Sequence, residues 1–117
     1  IAEDLGLAVL GVCRGMQQLG AFSGTPLVEV AGHVGARHSI HGDIAREVNS
    51  FHRYVLKDCP PEYRVVALDE DGHLEGIVHA RRPWLGWMWH PERELPFSGY
   101  DLAAFRALVE HSEWEAR

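Results

Sequence analysis

The sequence predicts an α/β domain built on a parallel sheet, and three features of its order support that prediction. A short apolar run, residues 7–10, ends at a cysteine flanked by glycines and is followed by helix-compatible residues. Two β-rich runs flank an acidic turn, which predicts a hairpin. An aromatic run, residues 84–89, predicts a further strand near the C-terminus. Because short runs of branched apolar residues are typical of strands buried on both faces, the first run favours a parallel sheet.

Composition limits the class of protein. The 117 residues suffice for one small domain, and 46% hydrophobic with 24% charged residues is ordinary for a globular protein. The net charge of −6, without a Lys/Arg run, argues against a nucleic-acid partner. No apolar stretch has membrane-spanning length and no signal-peptide pattern occurs, so no membrane partner is expected. Two cysteines, Cys13 and Cys59, make no disulfide framework, so we expect a reducing, cytoplasmic location.

The N-terminal residues predict the end of a helix. Residues 1–6 place apolar and acidic residues as in a last helical turn, with Gly6 as the terminating glycine. No initiator Met precedes them. We interpret residues 1–117 as a single, partial domain that forms the C-terminal portion of a larger α/β domain.

The turn around Cys13 has the spacing of a nucleophile elbow. Gly11 and Gly15 lie two residues to either side of the cysteine. A nucleophile on a sharp strand-to-helix turn needs neighbours almost without side chains, because the backbone there is strained. Its position at a helix N-terminus would favour the thiolate. The motif alone leaves a second interpretation open, a buried structural cysteine beside a glycine-rich turn.

The segments after this turn alternate between short elements and loops. A helix is predicted at residues 14–22, with Met16, Leu19 and Ala21 facing inward. The further predictions are a strand at 27–30, a loop and then extended chain at 31–40, the end of a strand at 47–52, and a helical turn at 53–56.

The clearest prediction is a hairpin. Residues 63–68 are β-rich, residues 69–72 have turn chemistry, and residues 73–79 alternate again. The acidic turn is interpreted as solvated rather than metal-binding.

The C-terminal part predicts a strand followed by a helix. The aromatic run ends at His90, and Glu92 lies two residues further, on the same side if the chain is extended. Sites of open α/β sheets lie at the carboxyl ends of strands, which is where His90 would be. Asp101 is a suitable N-cap for a helix at 102–111. Its predicted buried stripe consists of Leu102, Phe105, Leu108 and Val109.

Cys13, His90 and Glu92 together form the pattern of nucleophilic acyl transfer. The histidine would raise the thiolate content and later protonate the leaving group, while the carboxylate fixes the imidazole tautomer. The backbone N–H of Arg14, at the start of the helix, would be one oxyanion donor. No residue identifies the second donor.

Three segments make the sequence resemble the class I glutamine amidotransferases, in their γ-glutamyl hydrolase branch. These are residues 11–17 (GVCRGMQ), 48–52 (VNSFH) and 87–92 (WMWHPE). The resemblance implies a flavodoxin-like α/β fold with Cys13 as nucleophile, His90 as base and Glu92 as orienting acid. It further implies substrate-binding residues for the glutamyl part of the substrate, namely Gln17, Asn49, Ser50, Phe51 and His52.

The implied activity is hydrolysis of γ-glutamyl amides through a thioester, releasing glutamate and an amine, ammonia or a phosphoramidate. Residues 46–52 and 88–94, with the stretch from His33 to His38, look most similar to γ-glutamyl-CDP-amidate hydrolases, against the γ-glutamyl-γ-aminobutyrate hydrolases as alternative. An ammonia-supplying glutaminase domain of a synthase and an inactive remnant or interaction module stay open. The amine side of the substrate is not readable from the sequence.

The resemblance also sets limits. Members of the family carry an N-terminal half with the loop that gives the second oxyanion N–H, so we expect 117 residues alone to be poorly active, with that half or self-association as possible partners. No cofactor is expected. No metal site is expected either: His33 and His38 have a tolerable ligand spacing, but no cysteine pair accompanies them.

Overall fold

The computed structural model describes residues 7–31, 34–94 and 96–111, with the side chains of Val34 and His111 excepted. The predicted helix end at residues 1–6 and the residue His33 lie outside the described residues. Within these described residues, eight strands and two α-helices follow one another. The strands are β1 (Val9–Val12), β2 (Leu27–Glu29), β3 (Val34–Gly42), β4 (Arg46–Phe51), β5 (Tyr54–Leu56), β6 (Tyr63–Leu68), β7 (Leu74–His79) and β8 (Trp84–Trp87). The helices are α1 (Arg14–Phe22) and α2 (Gly99–His111), with a 3₁₀ turn at Pro91–Arg93.

Six of the strands form one mixed sheet, in the order β1-β8-β7-β6-β3-β4. β1 and β8 run parallel, with Val12 opposite Trp87, and every other described pair in this sheet is antiparallel. The expected parallel sheet is therefore reduced, within the described residues, to the one pair that carries the Cys13 turn. β2 and β5 form a separate antiparallel pair.

Several predicted elements are confirmed. α1 has the predicted bounds, and β6 and β7 form the predicted hairpin. Strands lie at the predicted positions before Cys13 and before His90. The prediction of a loop before extended chain at 31–40 underestimated β3, which extends to Gly42.

The helical turn predicted at residues 53–56 is wrong. This segment is β5, whose Val55 lies opposite Val28 of β2. Val55 and Leu56 are buried, and the β-forming residues Tyr54 and Val55 favour extended chain once a partner strand is present. The secondary structure of this segment is thus set by its pairing with β2, because the local sequence is compatible with both a helical turn and a strand.

The inward face of α1 differs in part from the prediction. Met16 is fully buried and Leu19 partly so, but Ala21 is exposed. Gly20 is buried in its place, since a Cβ there would lie 2.2 Å from a methyl of Leu56. The helix therefore packs closely on β5 at Gly20. A pattern of apolar side chains does not predict this contact, because glycine has no side chain.

The apolar stripe predicted for α2 is wrong at three of its four positions. Leu108 is buried, but the other three side chains are about half exposed; they are Leu102, Phe105 and Val109. The buried face instead carries Asp101 and Ala104, which share a side with Leu108. Asp101 is not the N-cap either, because the helix begins at Gly99 and the Asp101 carboxylate bonds to Arg46 and to the Trp89 indole N–H. A buried ion pair, which hydrophobic periodicity does not register, sets the orientation of this helix.

The core lies on both faces of the sheet. One cluster joins the sheet to α2 through Ala104 and Leu108, with Trp87 and Trp89 stacked at 4.9 Å between ring centroids. The other joins it to α1 through Met16, packed with Ile77. Neither described helix is long and apolar enough to cross a membrane. The first helix thus packs beside β1 and β8, the two parallel strands that precede Cys13 and His90.

Candidate active site

Cys13 lies in a strained turn between β1 and α1. Its φ is 54° and its ψ is −102°, a left-handed backbone that non-glycine residues rarely adopt. Its N–H donates to the Trp87 carbonyl at 2.7 Å, and its own carbonyl accepts the Gln17 N–H at 3.1 Å. The turn is therefore tied both to the end of β8 and to the first turn of the helix, which is the geometry of a nucleophile elbow.

The two glycines of the turn have different roles. A Cβ on Gly11 would lie 2.7 Å from the Gly15 carbonyl carbon, so any side chain there would push the helix away from the strand. A Cβ on Gly15 would meet nothing within 4 Å among the described residues. Packing therefore requires the first glycine, while the second leaves space beside the cysteine.

Burial governs the resting state of the Cys13 thiol. Desolvation raises its pKa, and the nearby Glu75 carboxylate adds to that effect. A hydrogen bond from the Arg14 N–H and the charges of Arg93 and Arg14 lower the pKa, but the net direction is upward. The expected preference for thiolate at the helix N-terminus is thus outweighed, and the cysteine rests as a thiol that needs a base.

His90 and Glu92 form a close pair after β8. The His90 Nδ1 lies 2.6 Å from Glu92 Oε2. Because an ionised carboxylate only accepts hydrogen bonds, Nδ1 is the donor in this bond, and in the neutral imidazole Nε2 would then carry the lone pair. Burial acts to raise the pKa of Glu92, but hydrogen bonds from His90 and from its own backbone N–H, with the charges of His90 and Arg93, hold it below its usual value. The carboxylate therefore stays charged and orients the imidazole.

The sheet brings the cysteine and this pair to the same edge. β1 and β8 are neighbouring parallel strands, and the residues that follow them leave the sheet side by side. Cys13 follows Val12 directly, and His90 follows Trp87 by three residues. The hydrogen bond between the Cys13 N–H and the Trp87 carbonyl joins the two strand ends.

Asn49 holds the backbone of His90 from both sides. Its side-chain amide donates to the His90 carbonyl at 2.8 Å, and its side-chain oxygen accepts the His90 N–H at 2.8 Å. Asn49 is buried in β4. The residue expected to bind substrate thus has its amide engaged in positioning His90.

Glu94 and Arg37 extend this support, and sequence reasoning missed both. Glu94 accepts a second hydrogen bond from the Asn49 amide at 3.2 Å and a bidentate pair from the Arg37 guanidinium at 2.9 and 3.0 Å. Arg37 also donates to Glu47 at 2.8 Å. These contacts raise the pKa of Arg37 above its ordinary value and lower that of Glu94. In the sequence, Arg37 and Glu94 stand out only by their charge. Their position beside Asn49 depends on the β3–β4 register, which sets Arg37 opposite Asn49.

The other expected substrate residues occupy different environments. The Gln17 amide donates to the Tyr54 carbonyl at 3.0 Å. Ser50 is fully buried, whereas Phe51 is partly exposed and lies edge-on to the His90 ring at 5.9 Å between centroids. Of this group, Phe51 is the residue whose ring the structure places beside the His90 ring.

His52, also expected to bind substrate, is buried against a carboxylate. Its Nε2 lies 3.1 Å from Glu75 Oε2, and the Nε2 of His38 lies 3.0 Å from Glu75 Oε1. Burial acts to raise the pKa of Glu75, but the hydrogen bonds from both imidazoles hold it below its usual value. Sequence reasoning missed this cluster because its members come from β3, β7 and the residue that follows β4.

Two groups of described residues have the spacing of metal ligands. The ligand atoms of the His38–Glu75–His52 cluster lie within 4.8 Å of one another, as do those of Asp69, Asp71 and His73. In the first group the imidazoles already bond to the carboxylate. In the second, one Asp69 oxygen accepts the backbone N–H groups of Asp71 and His73. Both arrangements are thus explained by bonds within the protein.

Comparison with known proteins decides the family. The family profile "Glutamine amidotransferase class-I" matches residues 1–104. The chain belongs to this family. Its members are generally amidohydrolases or amidotransferases, and the elbow cysteine with the His90–Glu92 pair provides the groups for such chemistry.

Relatives of different specificity match this amidotransferase chain. It is 32% identical over 102 residues to a glutamine-hydrolysing GMP synthase component from Methanothrix thermoacetophila, covering 77% of this chain and 55% of the relative. It is 27% identical over 89 residues to a γ-glutamyl-CDP-amidate hydrolase from Campylobacter jejuni, covering 75% of this chain and 44% of the relative. The branch within the family is therefore not settled by similarity.

Solved structures confirm the α/β fold. A glutamine amidotransferase from Thermotoga maritima superposes with a TM-score of 0.70 at 18% identity, covering 96% of this chain and 57% of that one. The chain thus spans about half the length of the relatives it matches.

Proposed function

We propose that this protein hydrolyses γ-glutamyl amides by way of a thioester on Cys13. The observation that carries the proposal is the strained Cys13 turn at the same sheet edge as His90, whose Nδ1 is bonded to Glu92 at 2.6 Å. The family supports amide hydrolysis as the class of reaction. The two free thiols favour a reducing location, so we place the reaction in the cytoplasm.

In the first half-reaction, the Cys13 sulfur attacks the γ-carbonyl carbon of the substrate while its proton passes to His90 Nε2. Proton transfer during attack fits a cysteine that rests as a thiol. The tetrahedral intermediate collapses by breaking the C–N bond, and His90 returns the proton to the leaving amine. The products of this step are the amine and a γ-glutamyl thioester.

In the second half-reaction, His90 removes a proton from water, and the hydroxide oxygen attacks the thioester carbon. Collapse breaks the C–S bond, glutamate leaves, and the sulfur regains its proton from His90. Glu92 stays ionised throughout and stabilises the imidazolium that forms twice in the cycle.

The backbone N–H of Arg14 serves as one oxyanion donor. It already hydrogen-bonds to Cys13 and lies at the start of α1, where the helix dipole favours negative charge. One such donor is worth roughly 10²–10³ in rate. A second donor completes the hole from residues that this sequence does not identify.

Trapping with 6-diazo-5-oxo-L-norleucine tests the proposal. This glutamine analogue should alkylate Cys13, detected by peptide mass spectrometry, and glutamine or a γ-glutamyl amide should protect. Cys59 is the matched control, because it is also a free, half-buried thiol whose burial raises its pKa.

The outcomes separate an enzyme from a remnant. Labelling that is lost in Cys13→Ala and retained in Cys59→Ala supports the enzyme. A folded sample that is not labelled, or is labelled equally at both cysteines, contradicts it and favours an inactive member of the fold.

A second candidate is a glutaminase that supplies ammonia to a synthase. The relative named as a glutamine-hydrolysing GMP synthase favours it, and the relative named as γ-glutamyl-CDP-amidate hydrolase favours a stand-alone hydrolase that releases a phosphoramidate. Preference for free L-glutamine, with turnover raised by a partner protein, would select the first. Preference for substituted γ-glutamyl amides without a partner would select the second.

A further inference from the structure

Arg93 holds a cationic side chain beside the proposed nucleophile and base. Its N–H donates to the His90 carbonyl at 3.1 Å, which fixes it in the 3₁₀ turn immediately after the catalytic pair. Its guanidinium carbon lies 4.4 Å from the centroid of the Phe51 ring. The Phe51 ring in turn lies nearly perpendicular to the His90 ring, at 5.9 Å between centroids. The aromatic ring thus fixes the position of the cation relative to His90.

The partners of Arg93 differ from those of four other arginines in the described chain. Four arginines donate hydrogen bonds to carboxylates; they are Arg37, Arg46, Arg64 and Arg81. Among the described residues, the ion pair of Arg93 is with Glu92, at 4.0 Å between Nε and Oε2, which is too long for a hydrogen bond. That carboxylate oxygen already bonds to His90 at 2.6 Å. About half of the Arg93 side chain is exposed.

The charge of Arg93 also acts at Cys13. Although burial dominates and raises the pKa of the thiol, Arg93 lowers it more than any other side-chain charge does. The geometry agrees with this effect, since the guanidinium lies over the Phe51 ring and Phe51 neighbours the His90 ring. A planar cation on an aromatic ring, with N–H donors toward solvent, is suited to bind a carboxylate or a phosphate.

We propose that Arg93, supported by Phe51, binds an anionic group of the substrate and thereby discriminates against analogues that lack this group. This inference rests on the proposed γ-glutamyl hydrolysis and extends it to a residue that determines specificity. Two parts of the substrate offer the anion: the α-carboxylate of the glutamyl group, or an acidic group on the amine part.

A substrate series tests the inference in the wild type, Arg93→Gln and Arg93→Lys. L-Glutamine carries the α-carboxylate, and γ-aminobutyramide lacks it. γ-Glutamyl-γ-aminobutyrate adds an acidic amine part, and γ-glutamyl-p-nitroanilide adds one without charge. Arg106→Gln is the matched control, because Arg106 is an exposed arginine on α2.

Arg93→Gln should raise KM roughly 10- to 100-fold for substrates that present the anion, with little change in kcat, as expected for one lost charge-assisted hydrogen-bond pair. Arg93→Lys should recover part of the loss, and Arg106→Gln should change nothing. A penalty on L-glutamine that is absent with γ-aminobutyramide identifies the α-carboxylate. A penalty confined to γ-glutamyl-γ-aminobutyrate identifies the amine part. A similar change in KM for all four compounds, or none, overturns the inference.

A binding measurement keeps this inference separate from the proposed hydrolysis. L-Glutamate and γ-glutamyl-γ-aminobutyrate are titrated into Cys13→Ala and into the double variant with Arg93→Gln, by calorimetry. At least 10-fold weaker binding of either ligand in the double variant supports the anion site even if turnover is not detected. Equal affinity in both proteins, or no binding to either, overturns it, whether or not Cys13 is catalytic.

Discussion

Of the described regions in which histidine meets carboxylate, two differ most in how far the carboxylate is buried. His90 and Glu92 lie in a short turn at the end of β8, with more than half of the Glu92 side chain exposed. Glu75 lies on β7 with no exposed side-chain surface, bonded by His38 and His52. The first pair is adjacent in sequence, whereas the second is assembled from three separate segments.

The difference agrees with the catalytic role proposed for His90 and Glu92 and with a structural role for Glu75. An ion pair with an exposed partner contributes only about 0–1 kcal/mol to stability, so the bond from largely buried His90 to exposed Glu92 is not explained by stability. A buried carboxylate is costly unless it is fully bonded, and Glu75 has one imidazole on each oxygen. The exposed pair is held by Asn49, which fixes the backbone of His90 without occupying its ring.

The largest effect should come from removing the base. His90→Gln is expected to lower kcat/KM roughly 10²–10⁴-fold, because attack by a resting thiol requires proton removal. The free energy of unfolding should fall by less than in the Glu75 variant below, since His90 bonds to an exposed carboxylate and not to a buried one. Steady-state kinetics and urea unfolding of the same preparation check both parts. A stability loss as large as that expected for Glu75 would show that the two regions do not differ as argued.

The next effect belongs to the buried cluster. Glu75→Ala should lower the free energy of unfolding by about 3–5 kcal/mol, because two buried imidazoles lose their shared acceptor. Glu75→Gln is the matched control, as it keeps the volume and one acceptor oxygen, and it should cost less. Chemical denaturation with coincident fluorescence and circular-dichroism transitions is the measurement. An alanine variant as stable as the wild type would contradict the structural role of the cluster.

Sequence reasoning found the exposed region and missed the buried one for a physical reason. The cysteine turn and the His90–Glu92 spacing each lie within a few consecutive residues, so the order of residue types is enough to predict them. Glu75 meets His38 and His52 only through strand register, which local sequence does not specify. The same limit applies to Asn49, whose partner is 41 residues away. It applies also to α2, where buried Asp101 and not the apolar stripe faces the sheet.

The smallest effect is a pH dependence that separates two histidines with little exposed surface. The hydrogen bond to Glu75 raises the pKa of His38 despite the opposing effect of burial. Its contribution to stability is present below the unfolded pKa of about 6.5 and is lost as pH rises through the higher folded value. His79 behaves oppositely: burial lowers its pKa, and its Nδ1 accepts the N–H groups of Arg81 and Arg82. The folded state favours neutral His79, so the free energy of unfolding falls as pH drops below about 6.5, where His79 of the unfolded chain becomes protonated.

Matched asparagine variants measure this contrast. The stability difference between wild type and His38→Asn should shrink by about 1 kcal/mol from pH 6 to pH 9, the excess of a charge-assisted hydrogen bond over a neutral one. The difference between wild type and His79→Asn should instead grow as pH rises from 5 to 8. Urea midpoints and slopes across the pH series give both curves. Parallel curves for the two variants would mean that Glu75 does not hold a proton on His38, and that the buried cluster is an array of neutral hydrogen bonds.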